Sequence, residues 1–132
     1  MTRATYALTL AFLITAGWSA NHFASVLVLL RRDHDVSAVL ANSAYGIYAL
    51  GLFPSLLIGG GVADRFGSRP AVVAGTVIAA AGNGYLMLGI PGHGLLLGRF
   101  IVGLGVGLVV SAGTAWAGRL RGAGGATAAG IA

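Results

Sequence analysis

The sequence predicts an all-α membrane protein built as a bundle of four transmembrane helices. Charged residues make up only 8% of the chain and hydrophobic residues 57%, whereas ordinary soluble domains carry about 25% charge. Four apolar stretches are each about 20 residues long or longer, the length that a helix needs to cross the hydrocarbon core. Short polar connectors separate the stretches. These observations exclude an ordinary soluble domain.

The predicted spans cover about residues 6–30, 36–62, 70–90 and 95–117. Each span is expected to be a helix because every backbone polar group must be bonded internally in lipid. The connectors are short, so neighbouring helices are expected to pack as antiparallel hairpins. The first stretch runs past Trp18 to Leu30, longer than the apolar core of a cleaved signal peptide, so we expect it to be retained.

The end of the chain consists of small and apolar residues that follow Arg119 and Arg121. Residues 123–132 are predicted to begin a fifth helix. The whole chain, residues 1–132, is therefore expected to be a partial transmembrane domain.

The orientation follows from the arginines in the connectors, since cytoplasmic loops of membrane proteins carry an excess of Lys and Arg. Two arginines lie between the first and second spans, whereas five lie on the opposite side of the membrane: Arg3, Arg65, Arg69, Arg119 and Arg121. We therefore expect an integral protein of the plasma (inner) membrane with a cytoplasmic N-terminus.

A compact polar turn lies between the second and third spans. Gly60 is expected to end the second helix and to let the third approach it, and Gly67 can adopt a positive φ in a tight turn. Asp64 is expected to cap the next helix or to pair with Arg65 or Arg69, and either contact would hold the turn rigid. The alternative is a cytoplasmic turn whose arginines merely set the orientation.

This turn resembles the signature loop between the second and third helices of the major facilitator superfamily of secondary transporters, which reads roughly G-x-L-x-D-R-x-G-R-R. The matching residues are Gly60, Asp64, Arg65, Gly67 and Arg69. The resemblance implies that they form a charge network that latches the two halves of a transporter in one conformation. Ser68 stands where the family has a second basic residue, which reduces the charge of the network.

Arg99 lies inside the fourth span, about one turn from its start. An arginine at the centre of a bilayer costs about 2.5–3.5 kcal/mol on insertion scales, so such a residue indicates function by default. The alternative is that its guanidinium extends to the outer headgroups. The pattern Arg99-x-x-x-Gly103-x-Gly105 resembles a second superfamily motif, R-x-x-x-G-x-G, which is associated with proton-coupled drug antiporters. The resemblance implies a coupling or cavity role for these three residues.

Other polar side chains inside the spans are candidates for the wall of a cavity. Asn21 and His22 lie in the first span and Tyr45 in the second. His22 could relay a proton because imidazole titrates near neutral pH. The alternative is that these groups form hydrogen bonds between helices.

The sequence predicts no enzyme, metal site, cofactor or nucleic-acid partner. His34 and His93 have no carboxylate pair at metal-ligand spacing, and no nucleophile lies beside a base. The glycines from Gly103 to Gly107 lack the spacing of a nucleotide-binding loop. The arginines are scattered between apolar runs, whereas nucleic-acid binding needs a clustered basic face.

The expected function is secondary active transport of a small molecule, as proton-coupled efflux. Superfamily members have about twelve spans in two halves with the substrate bound between them, so this chain resembles the first third and would act with a missing C-terminal half. Its expected partners are membrane lipid, a small-molecule substrate and protons. Two alternatives stay open: a non-transporting assembly or regulatory subunit, and a four-helix dimeric multidrug exporter. The latter depends on a membrane-embedded glutamate, and this chain contains no Glu.

Overall fold

A computed structural model describes residues 3–33, 37–90 and 92–121. The described residues form five helices, α1 (Arg3–Asn21), α2 (Phe23–Asp33), α3 (Ala38–Phe66), α4 (Ser68–Leu86) and α5 (His93–Arg121). Helices α1 and α2 together occupy the first predicted span, and α3, α4 and α5 fall on the second, third and fourth predicted spans in turn. All regular structure in these ranges is helical, which confirms the all-α fold class. Residues 123–132, predicted to begin a fifth span, lie outside the described residues.

Three segments of the described chain are long and apolar enough to cross a membrane. They are residues Arg3–Val28, Ala38–Phe66 and His93–Leu120. Helix α4, with 19 residues, falls outside this set and ends at Leu86, not near residue 90 as predicted. It ends early because Leu88 and Gly89 donate to carbonyls only three residues back, and Gly89 then adopts a φ of +66°.

The first span contains a break at His22 that its apolar pattern does not reveal. The backbone N–H of His22 still donates to the Trp18 carbonyl oxygen at 3.0 Å. The N–H groups of Ser25 and Val26 then both reach the His22 carbonyl oxygen, at 3.1 and 3.3 Å. Hydrogen bonding to the third residue back tightens the helix locally, which separates α1 from α2.

Helix α5 packs chiefly against α3 and α4. A Cβ atom added at Gly103 would contact the backbone carbonyl oxygen of Tyr48 in α3, and one at Gly105 would lie 2.6 Å from the Gly75 carbonyl oxygen in α4. Small residues let membrane helices approach to backbone contact. The two glycines therefore place α5 between its neighbours, one on each side.

Two clusters of buried residues stabilise this arrangement. The larger one centres on α5 and includes Val72, Val102 and Val109. The second joins α2, α3 and α5 through buried residues such as Phe23 and Leu95. This second cluster lies next to Arg99, and it sets the surroundings of that side chain.

Candidate functional site

One arginine at the end of α5 connects the two helices that flank the polar turn. Nη2 of Arg119 donates to Oδ1 of Asp64 in an ion pair, and its Nη1 donates to Oγ of Ser68 at 2.8 Å. Asp64 belongs to the last turn of α3, whereas Ser68 is the first residue of α4. A single guanidinium thus bridges three helix ends.

The ion pair is exposed, which limits its strength. The side chains of Arg119 and Asp64 are 49% and 70% exposed. Exposed ion pairs contribute about 0.2–1 kcal/mol to stability. The contact is therefore weak enough to be broken and remade without unfolding the helices.

The prediction that Asp64 caps α4 or pairs with Arg65 or Arg69 is wrong. Gly67 occupies the N-cap position of α4 and no side chain caps that end. Among the described residues no ion pair joins Asp64 to either neighbour. The Arg65 guanidinium lies 5.6 Å from the ring centre of Phe66, and Arg69 is exposed. Asp64 therefore pairs across the bundle and not within its own turn.

The prediction for Gly67 is confirmed, whereas the prediction for Gly60 is wrong. Gly67 adopts a φ of +96°, as predicted, and its N–H donates to the Ala63 carbonyl oxygen at 3.0 Å to end α3. Gly60, however, lies inside α3 and does not end it. An added Cβ there would be 3.9 Å from Oγ of Ser111 in α5, so Gly60 faces α5 and not the third span.

Arg99 is buried in the protein and does not extend to the surface. Its exposed fraction is 1%, and α5 begins at His93, so the side chain lies deeper in the helix than predicted. The guanidinium carbon is 4.0 Å from the ring centre of Phe23 and 4.4 Å from that of Tyr48. Cation–π contacts contribute about 2 kcal/mol or more when desolvated. The aromatic rings thus offset part of the cost of burying the charge.

Two nitrogens of this guanidinium have no acceptor. Nε and Nη1 of Arg99 are buried without a hydrogen-bond partner among the described residues. A buried donor left unpaired costs about 1–3 kcal/mol, and more when it is charged. The aromatic faces compensate the charge but not these N–H groups.

The remaining cavity candidates, Asn21, Tyr45 and His22, lie in three different environments. Asn21 donates to the Gly17 carbonyl oxygen of its own helix at 2.8 Å and is exposed, so the structure does not bring it to Arg99. Tyr45 packs edge-on against Phe23, with ring centres 5.7 Å apart, and so joins the aromatic group around Arg99. His22 lines a separate cavity.

This cavity has a volume of about 440 Å³ and lies between the first span, α4 and α5. Its size falls in the range of about 300–1,000 Å³ that is typical of small-molecule sites. The wall is mostly apolar, with Phe12, Trp18, Phe23, Leu86 and Leu95 among its residues. Its polar residues are Thr15, Ser19, His22, Thr76 and Asn83.

Ser19, Asn83 and Phe23 belong to the site but were not predicted from the sequence. Nδ2 of Asn83 in α4 donates to Oγ of Ser19 in α1 at 2.6 Å, which joins the two walls of the cavity. The asparagine inside an apolar stretch was an available signal. Phe23, which contacts both the cavity and Arg99, carries no signal in the sequence because phenylalanine is ordinary in a span.

Comparison with known proteins identifies similarities over nearly the whole chain. The sequence profile of the Major Facilitator Superfamily matches residues 7–129. The chain is 33% identical over 75 residues to "Multidrug resistance protein MdtL" of Citrobacter koseri, covering 57% of this chain and 19% of that protein. Proteins of the same name match from Klebsiella pneumoniae (30% over 78 residues, 59% and 20%) and Escherichia coli (31% over 75 residues, 57% and 19%). The aligned part therefore spans about a fifth of each relative's length. No solved structure matches.

Proposed function

Because the chain belongs to the Major Facilitator Superfamily, we propose that it is the N-terminal part of a secondary active transporter that exports a small molecule in exchange for protons. The chain is an integral membrane protein of a transporter superfamily, which favours transport over catalysis. The curated relatives are named as multidrug resistance proteins. Since the aligned part covers about a fifth of those relatives, the remaining spans would come from a longer polypeptide.

The observation that carries this proposal is the bridge made by Arg119. Alternating access moves one group of helices against another around a fixed substrate site. A contact that latches one conformation must join specific residues, and breaking it must cost little free energy. The Asp64–Arg119 pair meets both demands, since it links helix ends far apart in sequence and is largely exposed to solvent.

Ser68 strengthens this interpretation. At the position where the superfamily loop has a basic residue, the hydroxyl of Ser68 accepts a hydrogen bond from Arg119. An arginine at position 68 would instead place a second positive charge beside that guanidinium. The latch of this chain therefore uses one aspartate and one hydroxyl as joint acceptors for a single arginine.

We place proton exchange at His22. Of the cavity-lining residues that the structure describes, His22 is the one that carries an imidazole, a side chain that serves as a proton shuttle in proteins. Its neighbour Phe23 contacts the guanidinium of Arg99. A protonated His22 and a fixed charge on Arg99 repel each other through this wall, which would link the charge state of the cavity to the movement of substrate.

The protein is proposed to lie in the inner membrane. Its N-terminus and the Asp64 turn then face the cytoplasm. Consecutive spans alternate in direction, so the start of α1, the turn after α3 and the end of α5 share one side. These three places carry most of the arginines in the connectors, which favours that side as cytoplasmic.

Transport in everted membrane vesicles tests the function. Vesicles containing the 132-residue chain alone are compared with vesicles containing the product of its gene together with any in-frame sequence that follows codon 132. We expect uptake of ethidium, chloramphenicol or the anionic 1-naphthoate that depends on the proton gradient, and only from the longer product. Gradient-driven uptake by the short chain alone would contradict the proposal that it is one part of a transporter. No uptake by either product would contradict proton-coupled multidrug efflux.

A further inference from the structure

The buried guanidinium of Arg99 lacks hydrogen-bond acceptors among the described residues. The side chain is 1% exposed, and Nε and Nη1 have no acceptor among the described residues. Two aromatic rings cover the guanidinium. Aromatic faces attract a cation but accept no strong hydrogen bond, so the pair of donors still needs an acceptor.

Among the described residues, no acidic residue lies within reach of Arg99 along these helices. Asp33 ends α2, ten residues and thus about 15 Å along the helix from Phe23. Asp64 is sixteen residues from Tyr48 on α3, about 24 Å away. Asp35, the third acidic residue of the sequence, lies outside the described residues. The acceptor for Nε and Nη1 therefore lies outside the described residues, and a bound anion would supply it.

Phe23 separates Arg99 from the cavity. The ring lies against the guanidinium and also lines the cavity of about 440 Å³. Leu95, one turn before Arg99 on α5, lines the same wall. Phe23 is the first residue after the break at His22, where the helix begins anew. Rotation of this one ring would open the guanidinium to the cavity.

We propose that Arg99 is an anion-binding site and that the cavity accepts an amphipathic carboxylate. The apolar body of such a ligand would lie against Phe12, Trp18 and Leu86, and its carboxylate would accept hydrogen bonds from Nε or Nη1 of Arg99 once the Phe23 ring turns aside. A carboxylate fits because charge-assisted hydrogen bonds to a guanidinium are among the strongest in proteins. The inference deepens the proposed transport function by naming a substrate class, and it rests on that function only for the fate of the ligand.

Calorimetric titration of the purified 132-residue chain tests the site in the absence of any gradient. The chain is placed in phosphatidylcholine nanodiscs at pH 8 and titrated with 1-naphthoate and with 1-naphthamide, which has the same ring without the charge. We expect naphthoate to bind about tenfold more tightly, as one charge-assisted hydrogen bond would give. Equal affinities for the two probes would overturn the proposal.

Three variants assign the preference to Arg99. Arg99→Gln is expected to bind naphthoate and naphthamide equally, and retained naphthamide binding shows that its cavity is folded. Arg31→Gln, which removes an exposed arginine, is the matched control and should keep the tenfold preference. Arg99→Lys retains the charge and should keep most of the preference for naphthoate over naphthamide. This variant tests the role of the charge even where Arg99→Gln does not fold. A preference that survives in folded Arg99→Gln would overturn the proposal.

The titration and the transport measurement can fail independently. Naphthoate preference without gradient-driven uptake by any longer product would leave the anion site standing and contradict the proposed function. Gradient-driven uptake of neutral or cationic drugs, together with equal binding of naphthoate and naphthamide, would support the transport function and overturn the anion site.

Discussion

The guanidinium carbon of Arg99 lies 4.0 Å from the ring centre of Phe23, so the buried charge of this helix bundle rests on an aromatic face. The same carbon lies 4.4 Å from the ring centre of Tyr48. Of the described residues, Arg99 is the one charged side chain that is buried. The contact explains how an arginine is accommodated inside a span without an acidic partner.

Replacement of Phe23 by leucine tests that explanation. Phe23→Leu keeps an apolar side chain but removes the ring face, so we expect the free energy of unfolding to fall by about 2 kcal/mol. Thermal or denaturant unfolding in detergent measures the change. Phe53→Leu is the matched control because Phe53 is 63% exposed, and a similar loss in both variants would show that the arginine contact contributes nothing.

Replacement of Asp64 tests the strength of the exposed ion pair. We expect Asp64→Asn and Arg119→Gln each to lower the free energy of unfolding slightly, with a coupling energy of about 0.2–1 kcal/mol in a double-mutant cycle. In a transporter that contains this chain, Asp64→Asn should reduce turnover more than substrate affinity. A change in affinity with normal turnover would argue against a latch.

The hydroxyl of Ser68 gives a third prediction. Ser68 is buried and accepts a hydrogen bond from Arg119. Ser68→Ala removes this acceptor, so we expect a loss of about 0.5–1.5 kcal/mol in unfolding experiments. Ser43→Ala, in the exposed part of α3, should change stability far less. If the two variants behave alike, the Ser68 contact carries no energy.

Two glycines provide a sharp comparison of packing. A Cβ atom at Gly105 would collide with the backbone of Ala79, whereas one at Gly84 would meet nothing within 4 Å. We expect Gly105→Ala to destabilise the protein by about 1–3 kcal/mol through overpacking. Gly84→Ala should instead be neutral or stabilise by up to about 1 kcal/mol, since alanine is the better helix former. The order of the two melting temperatures checks the prediction.

Cysteine labelling tests the orientation. The native chain has no cysteine, so single substitutions report unambiguously. We expect Val39→Cys, near the start of α3, to react with an impermeant maleimide added to intact cells. Phe66→Cys, at the other end of that helix, should react only after the membrane is opened. Both positions are exposed, and the reverse pattern would place the N-terminus outside the cytoplasm.

The helices could be predicted from the sequence because length and hydropathy decide whether a segment crosses a bilayer. The φ of Gly67 could be predicted because a tight turn requires it. The break at His22 could not, since it contains neither proline nor glycine and arises from a shift in backbone hydrogen bonding. The end of α4 was likewise misjudged, because apolar residues continue beyond Leu86 into a turn.

Two residues of the candidate site could be singled out from the sequence, but their contacts could not be predicted. Asp64 and Arg99 were singled out by their rarity in an apolar chain, which is a local property. Their partners are not local: Arg119 lies 55 residues from Asp64. Whether Arg99 extends to the headgroups or stays inside depends on where α2 and α3 place Phe23 and Tyr48. Only the packing of the bundle fixes that.

The glycines of α5 have a mechanical consequence. Because Gly103 meets the backbone of α3 and Gly105 that of α4, sliding α5 along either neighbour would bring the Cβ atom of a non-glycine residue against that backbone. Helices α3, α4 and α5 therefore behave as a single stiff block. Among the described residues, the first span meets a glycine of α5 only through a side chain, that of Leu13 at Gly113, so this span can move against the other three helices. Enlargement or collapse of the cavity would then be a displacement of α1 and α2 against that block.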